Sequence, residues 1–276
     1  MKIKMFSYSQ LDTFVHRLSG LTKLVSFLLL SFAVMLTYDY RVMVLTLIIS
    51  LMGFKVAKIQ FKQIRLVLYY VLVFLVINLV LTYLLAPEYG TEIYGSRHIL
   101  FQFNSYYVVT QETLYYLAIK TLKYFSMFPL GLIFIVTTNP SEFASSLNHI
   151  GIPYKVCTTL SLTLRYFPDI IRDYTNISLA QQARGIELSK KEKFSKRFVM
   201  TVKMIIPLIF STLDRVEVIS NAMSLRGYGK LKKRSWYSYN ALQPRDYCVC
   251  LMSLLVLILS LYMRFAVTKT MFYYPF

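Results

Sequence analysis

Acidic residues are scarce in this chain: 13 Asp and Glu stand against 31 Lys and Arg, a formal charge of +18. In a soluble protein that surplus would point to nucleic acid, but nothing here resembles a recognition helix or an aromatic-studded basic strand. Histidine and cysteine are scarcer still. His16, His98 and His149 are isolated, and Cys157, Cys248 and Cys250 have no metal-ligand spacing with them. The histidines read as surface or interface residues and the cysteines as buried small apolar ones. The chain has no G-x-x-x-x-G-K-[ST], no H-E-x-x-H and no G-x-S-x-G. Asp169 and Asp173 lie one helical turn apart, but Arg165 and Arg172 flank them, which reads as a helix-surface charge cluster. No cofactor, no metal and no catalytic role are expected. If the process is energy-driven, another chain hydrolyses the nucleotide.

Apolar residues are abundant. They make up 56% of the chain, with mean hydropathy +0.51, which exceeds an ordinary soluble domain and indicates a membrane protein. Residues 1–20 are polar and basic and lack a small-residue cleavage pattern, so they stay in the mature chain. Apolar runs follow at 24–38 and 42–56, both shorter than the roughly 20 residues that cross a bilayer comfortably. Lys23 and Lys55 snorkelling to one interface make a thin helical hairpin, with a re-entrant pair as the alternative. Residues 66–86 form a clean span. Lys120 and Lys123 interrupt a fourth run at 114–136, near Tyr115, Tyr116 and Tyr124, so both lysines are expected to snorkel to an aromatic belt. Pro129 is a kink site within that run. A last run covers 247–267, with Arg264 at its outer interface.

Loop charges set the orientation. Lys55, Lys58, Lys62 and Arg65 form one loop, whereas the long loop at 87–112 carries Glu88, Glu92 and Glu112 against Arg97. The positive-inside rule puts the N-terminus and the Lys-rich loop in the cytoplasm, and the acidic loop and the C-terminus outside.

Before the last span lies an amphipathic helical segment. Asn139-Pro140-Ser141-Glu142 is a helix start, and the short helix it opens ends before Gly151-Ile152-Pro153. Residues 154–183 predict a long helix with a bend at Pro168. After a charged connector at 187–197, residues 198–225 predict a second, bent at Pro207, with Asp214, Arg215 and Glu217 on a polar face. A basic run, 230–234, follows. The fold class is an all-α membrane protein of about five transmembrane helices, plus a cytoplasmic module of one short and two long amphipathic coupling helices. Its regions are 1–138, 139–246 and 247–276.

The two long helices end alike. Ile177 to Gly185 and Ile219 to Gly227 both obey I-S-x-A-x-x-x-R-G, so Arg184 and Arg226 lie 42 residues apart. Five identities in nine ungapped positions indicate a degenerate internal repeat. One reading makes each Arg-Gly pair merely a C-terminal cap, with Gly in the left-handed conformation and Arg at the negative end of the helix dipole. The other has a partner reading both ends.

These residues resemble the T component of energy-coupling factor (ECF-type) importers. The similarity runs from His16-Arg17-Leu18-Ser19-Gly20-Leu21-Thr22-Lys23-Leu24, where Leu21 replaces the family's usual Pro, through Thr137-Thr138-Asn139-Pro140 and Leu164-Arg165-Tyr166-Phe167-Pro168. It is strongest at the two Arg motifs, where Leu225 stands in a position the family often gives to Ala. The resemblance implies a scaffold whose motifs Ala183-Arg184-Gly185 and Leu225-Arg226-Gly227 dock into two ABC ATPase subunits. It also implies a separate substrate-binding membrane (S) subunit for a vitamin, related micronutrient or metal ion. Ala180 and Ala222 are small enough for close approach of a helix or groove wall, and Pro168 and Pro207 bend the helices that carry the motion. The partners are therefore these subunits and the lipid bilayer, not nucleic acid. The alternatives are the permease subunit of another ABC transporter, a membrane-bound enzyme, and a basic membrane-anchored binder of nucleic acid or anionic lipid.

The charge contrast generates a test of topology. Single cysteines at Glu92 and Thr270, in a background lacking the native three, should react with an impermeant thiol reagent in intact cells. A cysteine at Lys191 should react only after the membrane is opened; labelling there in intact cells reverses the orientation.

Overall fold

Hydroxyls and carboxylates placed just ahead of apolar runs decide where several helices begin. In this computed structural model, residues 13–59, 61–102, 107–186, 193–231, 235–237, 240–268 and 272–273 are described. The elements in chain order are α1 (Gly20–Met35), α2 (Tyr40–Val56), α3 (Phe61–Leu85), α4 (Tyr89–Tyr94), β1 (Ile99–Gln102), β2 (Val108–Thr110), α5 (Gln111–Thr137), α6 (Pro140–His149), α7 (Tyr154–Ala183), α8 (Phe194–Leu225) and α9 (Pro244–Tyr262). A π-helical turn, Met263–Thr268, prolongs α9. Ser19 caps α1 by accepting from Thr22 N, Asp39 caps α2 through Arg41 N, and Thr110 caps α5 through Thr113 N. The chain divides into two units, Met1–Asn139 with Asn240–Phe276, and Pro140–Tyr239.

The first unit is the membrane unit. Among the described residues, three helical stretches are long and apolar enough to cross a bilayer: Ile64–Leu85, Gln111–Thr137 and Pro244–Thr268. The 16 residues of α1 and 17 of α2 are shorter, roughly 24–26 Å at 1.5 Å per residue against a core of about 30 Å. α1 packs against α9 and α5 around Leu30, Ala33, Leu130 and Val256. Phe27 of α1 stacks on Phe134 of α5 at 5.1 Å, and Ser126 Oγ of α5 donates to Met43 O of α2 at 2.8 Å. The fold is all-α, apart from the β1–β2 hairpin among the described residues.

Several sequence expectations need correction here. The span 87–112 is not one long loop, since it folds into α4 and the hairpin. Glu112 is not an exposed acid of that loop but is fully buried in the first turn of α5. Its carboxylate accepts from Ser96 Oγ at 3.0 Å and His98 N at 3.2 Å, and lies 2.7 Å from His98 Nδ1. One carboxylate therefore fastens the segment before β1 to α5, and His98 is not isolated. Gly90 completes the fit: a Cβ there would lie 2.4 Å from Thr113 N, so α4 approaches α5 only because this residue has no side chain.

The lysines do not all snorkel either. Lys23 is buried, and its ammonium donates to His16 O at 3.2 Å and Thr137 O at 2.9 Å, satisfying a carbonyl in the last turn of α5. Lys120 donates to Thr82 Oγ1 at 2.6 Å, and Lys123 lies 3.8 Å over the Tyr38 ring and donates to Met35 O. A lysine at membrane depth is stabilised by donors finding carbonyls and by ring faces, and neighbouring helices supply both. His16 is buried beside Thr13 Oγ1 at 2.7 Å rather than at the surface. Of the cysteines only Cys157 is buried; Cys248 is exposed and Cys250 partly so, on faces of α9 where an apolar thiol tolerates lipid.

Asp246 joins the beginning of α9 to that of α1. It is buried, with one oxygen 2.9 Å from Ser19 N and the other 2.8 Å from Gln243 N. Asp246→Ala should strand the buried Ser19 N–H and release the partly buried Gln243 N–H, destabilising the purified protein by about 1–3 kcal/mol. Asp246→Asn, keeping one acceptor, should recover part of that in thermal unfolding.

Candidate functional site

The second unit consists of α6, α7 and α8, and the way those helices end defines the site. α7 stops at Ala183 with Arg184 as its cap residue. Gly185, at φ +87°, donates to Gln182 O at 3.0 Å, and Ile186 N to Gln181 O at 3.1 Å. α8 repeats this bond for bond: Arg226 is the cap residue, Gly227 sits at φ +70° and donates to Ser224 O at 3.0 Å, and Tyr228 N reaches Met223 O at 2.9 Å. Both are Schellman motifs, in which a left-handed glycine lets the chain turn back and satisfy two orphan carbonyls. Ala180, Ala183, Arg184, Gly185, Ala222, Leu225 and Arg226 are all exposed and Gly227 nearly so, Leu225 at 89%.

A third helix end tests whether this cap requires arginine. α6 closes with Gly151 at φ +111°, Gly151 N donating to Asn148 O and Ile152 N to Leu147 O, both at 3.1 Å. The residue at the arginine's position is Ile150. The same cap therefore forms with an aliphatic side chain, and the turn geometry alone does not call for Arg184 or Arg226.

The long helices meet at two places, one of them away from these ends. Arg215 of α8 bonds Asp173 of α7, both side chains about three-quarters buried. Asp173 thus leaves the surface cluster expected from the sequence; Asp169 and Arg172 keep a loose contact at 3.7 Å, and Arg165 donates to Ser141 of α6. Asp173 and Arg215 are 42 residues apart, the spacing of the two arginines, so the repeat pairs its own equivalent positions. That signal was present in the sequence, but only in the repeat's frame. At the far end, the Tyr154 ring lies 6.1 Å from Tyr228 and 5.2 Å from Trp236, and Trp236 Nε1 donates to Asn148 Oδ1 at 3.1 Å. This aromatic group, which periodicity does not reveal, ties the tip of α8 to the beginning of α7 and to α6.

Between these two ties the helices leave a cavity of about 470 Å³, lined by Leu162, Tyr166, Phe167, Ile219 and Met223 among others. Pro168 and Pro207 are exposed and interior to continuous helices, so neither marks a helix start. Large apolar side chains face outward along both, including Phe167, Ile171 and Leu179 on α7 and Ile206, Phe210 and Val218 on α8. Burial pushes the Cys157 thiol pKa up, away from reactivity. Part of the charged connector, 187–192, and of the basic run, 232–234, lies outside the described residues. Among the described residues no group of three His, Cys, Asp or Glu side chains is placed to hold a metal ion.

The crossing gives a direct test. Asp173→Ala or Arg215→Ala should each cost about 1–2 kcal/mol, between the values of exposed and fully buried pairs. The exchanged pair, Asp173→Arg with Arg215→Asp, should restore most of it in thermal unfolding, whereas additive losses would show no coupling.

Comparison with known proteins identifies the family. The family described as CbiQ, cobalt transport protein, matches residues 12–237, spanning α1 to α8 and both arginine tips. Relatives that carry the name energy-coupling factor transporter transmembrane protein EcfT include the following three. The one from Exiguobacterium sibiricum is 28% identical over 174 residues, 60% of this chain and 65% of that protein. The Clostridium kluyveri protein is 23% identical over 265 residues, 92% of this chain and 93% of its own length. That of Staphylococcus aureus is 24% identical over 249 residues, 87% and 88% respectively. With most of its length matched and an all-α membrane architecture, the chain belongs to the CbiQ family, that of the transmembrane T components of energy-coupling factor transporters.

Proposed function

We propose that this chain is the scaffold and coupling subunit of an ECF-type importer, carrying conformational change from two ATPase subunits to a separate substrate-binding membrane subunit. One observation carries the reading. Two long helices end in the same capped geometry with an exposed arginine at the same position, while a third helix builds that cap without one. A planar guanidinium held on a rigid helix end suits a groove lined by carboxylates. Two equivalent ends suit two equivalent grooves. In this reading Ala183-Arg184-Gly185 and Leu225-Arg226-Gly227 enter the ATPases, and Ala180 and Ala222 let the groove wall approach. The Asp173–Arg215 crossing passes movement of one helix to the other, with Pro168 and Pro207 as the bends. The outward apolar faces of α7 and α8 receive the substrate-binding subunit.

The second unit then lies in the cytoplasm with the N-terminus, and the C-terminus lies outside. ATP is hydrolysed by the partner subunits. The imported substrate, a vitamin, related micronutrient or metal ion, is chosen by the substrate-binding subunit.

Charge reversal at the tips tests this. Losing one partner of a buried interfacial charge pair costs about 2–5 kcal/mol, roughly 30-fold to several thousand-fold in affinity. Arg184→Glu and Arg226→Glu should leave the chain in the membrane, because the caps form without arginine. Copurification of the ATPases and ATP-driven uptake should fall sharply, most in the double variant. Lys232→Glu, a reversal in the neighbouring basic run, should do much less. Normal assembly and uptake in all three tip variants would reduce the Arg-Gly pairs to caps.

A further inference from the structure

The membrane unit holds a cleft that the coupling reading does not use. It lies among α1, α2, α5 and α9 and has a volume of about 320 Å³, at the lower end of the range for small-molecule sites. Its floor is buried, formed by residues such as Leu18, Leu30, Leu130 and Val256. Its rim is open: Phe14, Met52, Val56 and Met252 are each 45–63% exposed. The few polar groups in its wall are already engaged with backbone carbonyls. Ser26 Oγ donates to Thr22 O, Ser50 Oγ to Leu47 O, Ser253 Oγ to Val249 O, and Lys23 Nζ to His16 O and Thr137 O. Nothing inside the cleft needs a polar partner, so its occupant is hydrocarbon.

The charge at one end of the cleft specifies what the hydrocarbon is attached to. That end gathers the beginnings of α1 and α9 and the ends of α2 and α5. Arg17 precedes the floor residue Leu18, Lys55 precedes the rim residue Val56, and Arg245 lies one turn before the lining residue Val249. Arg245 donates to Arg17 O, and its Nε is buried without a hydrogen-bond partner among the described residues. Lys58 stands just beyond the cap of α2, with φ +50°, a conformation that glycine adopts without steric cost. Among the described residues of this unit the acid at that end is Asp246, buried and already bonded to Ser19 N and Gln243 N. An open apolar cleft whose mouth is basic fits a molecule with a long apolar chain and an anionic head.

We propose that this cleft binds an anionic phospholipid, with one acyl chain along the cleft and the phosphate at Arg17, Lys55, Lys58 and Arg245. The site requires the membrane placement of the chain and is independent of ATPase coupling. Apolar burial holds the chain, and each cation near the headgroup adds roughly fivefold in binding.

Native mass spectrometry of the purified full chain, titrated with phosphatidylglycerol and with phosphatidylcholine of the same chains, reads this out. Phosphatidylglycerol should stay bound where phosphatidylcholine is lost. The combined Arg17→Gln, Lys55→Gln, Lys58→Gly variant should reduce that preference on the order of a hundredfold. Lys58→Gly alone relieves a strained backbone, so it should fold at least as well and still weaken the preference. Ser26→Phe, which fills the cleft, should lower retention of both lipids. Phosphatidylglycerol with six-carbon chains should bind far more weakly to the unaltered protein. Equal retention of the two headgroups, or a preference surviving the triple variant, overturns the site. Undiminished binding of the short-chain lipid, or displacement by glycerol phosphate alone, shows a free anion site and overturns the acyl-chain assignment.

Discussion

Three side chains along one seam close the membrane unit, and each bonds the backbone of α1 from a residue more than 220 positions away. Asp246 accepts from Ser19 N at one end, Ser260 Oγ donates to Ala33 O at 2.8 Å in the middle, and Arg264 donates to Leu36 O at 3.0 Å at the other end. Within lipid the hydrophobic effect gives helices little reason to associate, because hydrocarbon is equally available outside. Close packing of small residues and hydrogen bonds must hold them together. Here Ala33 and Ser260 are fully buried and let α1 and α9 approach. The second unit interrupts the first in sequence between α5 and α9, so this seam recloses a membrane unit that the inserted helices would otherwise leave in two pieces.

The second unit follows a different economy of contact. α7 and α8 touch at the Asp173–Arg215 crossing and at the Tyr154–Tyr228–Trp236 group, with a cavity between and apolar side chains facing outward. The two tips also differ. The α8 tip is tied through Tyr228 to the beginning of α7, whereas Arg184 ends its helix immediately before the connector. In the proposed coupling, a push on Arg226 would reach α6 and α7 through that aromatic group, and a push on Arg184 would travel down α7 to the crossing. Similar sequences at the two ends need not do equal mechanical work.

Much of this was legible in the sequence because the determinants were local. Helix starts at Asn139-Pro140, stops at Gly151, Gly185 and Gly227, and the long apolar runs each depend on a few neighbouring residues, and the structure places all of them within a few residues of expectation. What escaped was set by partners distant in sequence. Glu112 looked like one acid among three in a loop, and only the return of Ser96 and His98 onto α5 buries it. Lys23 and Lys123 looked like snorkelling residues, and only the ends of α5 and α1 supply the carbonyls they reach. The candidate arginines were visible because they recur, and Asp173 with Arg215 would have been visible had the repeat been extended backward by four residues.

The charge of +18 takes on a more definite meaning once the cations are sorted by what they meet. Inside the membrane unit the buried and half-buried ones, Lys23, Lys123 and Arg264, reach carbonyl oxygens. Arg215 alone among these named residues is spent on an internal carboxylate. The exposed ones include Arg184 and Arg226 at the helix tips of the second unit, and Arg17, Lys55 and Lys58 at the basic end of the membrane unit. With 13 acids against 31 Lys and Arg, the chain as a whole carries positive charge that anions of other molecules can meet. In the readings proposed above, a guanidinium on a rigid helix end would meet a carboxylate groove in another protein, whereas cations around an open apolar cleft would meet a phosphate that arrives with its own hydrocarbon.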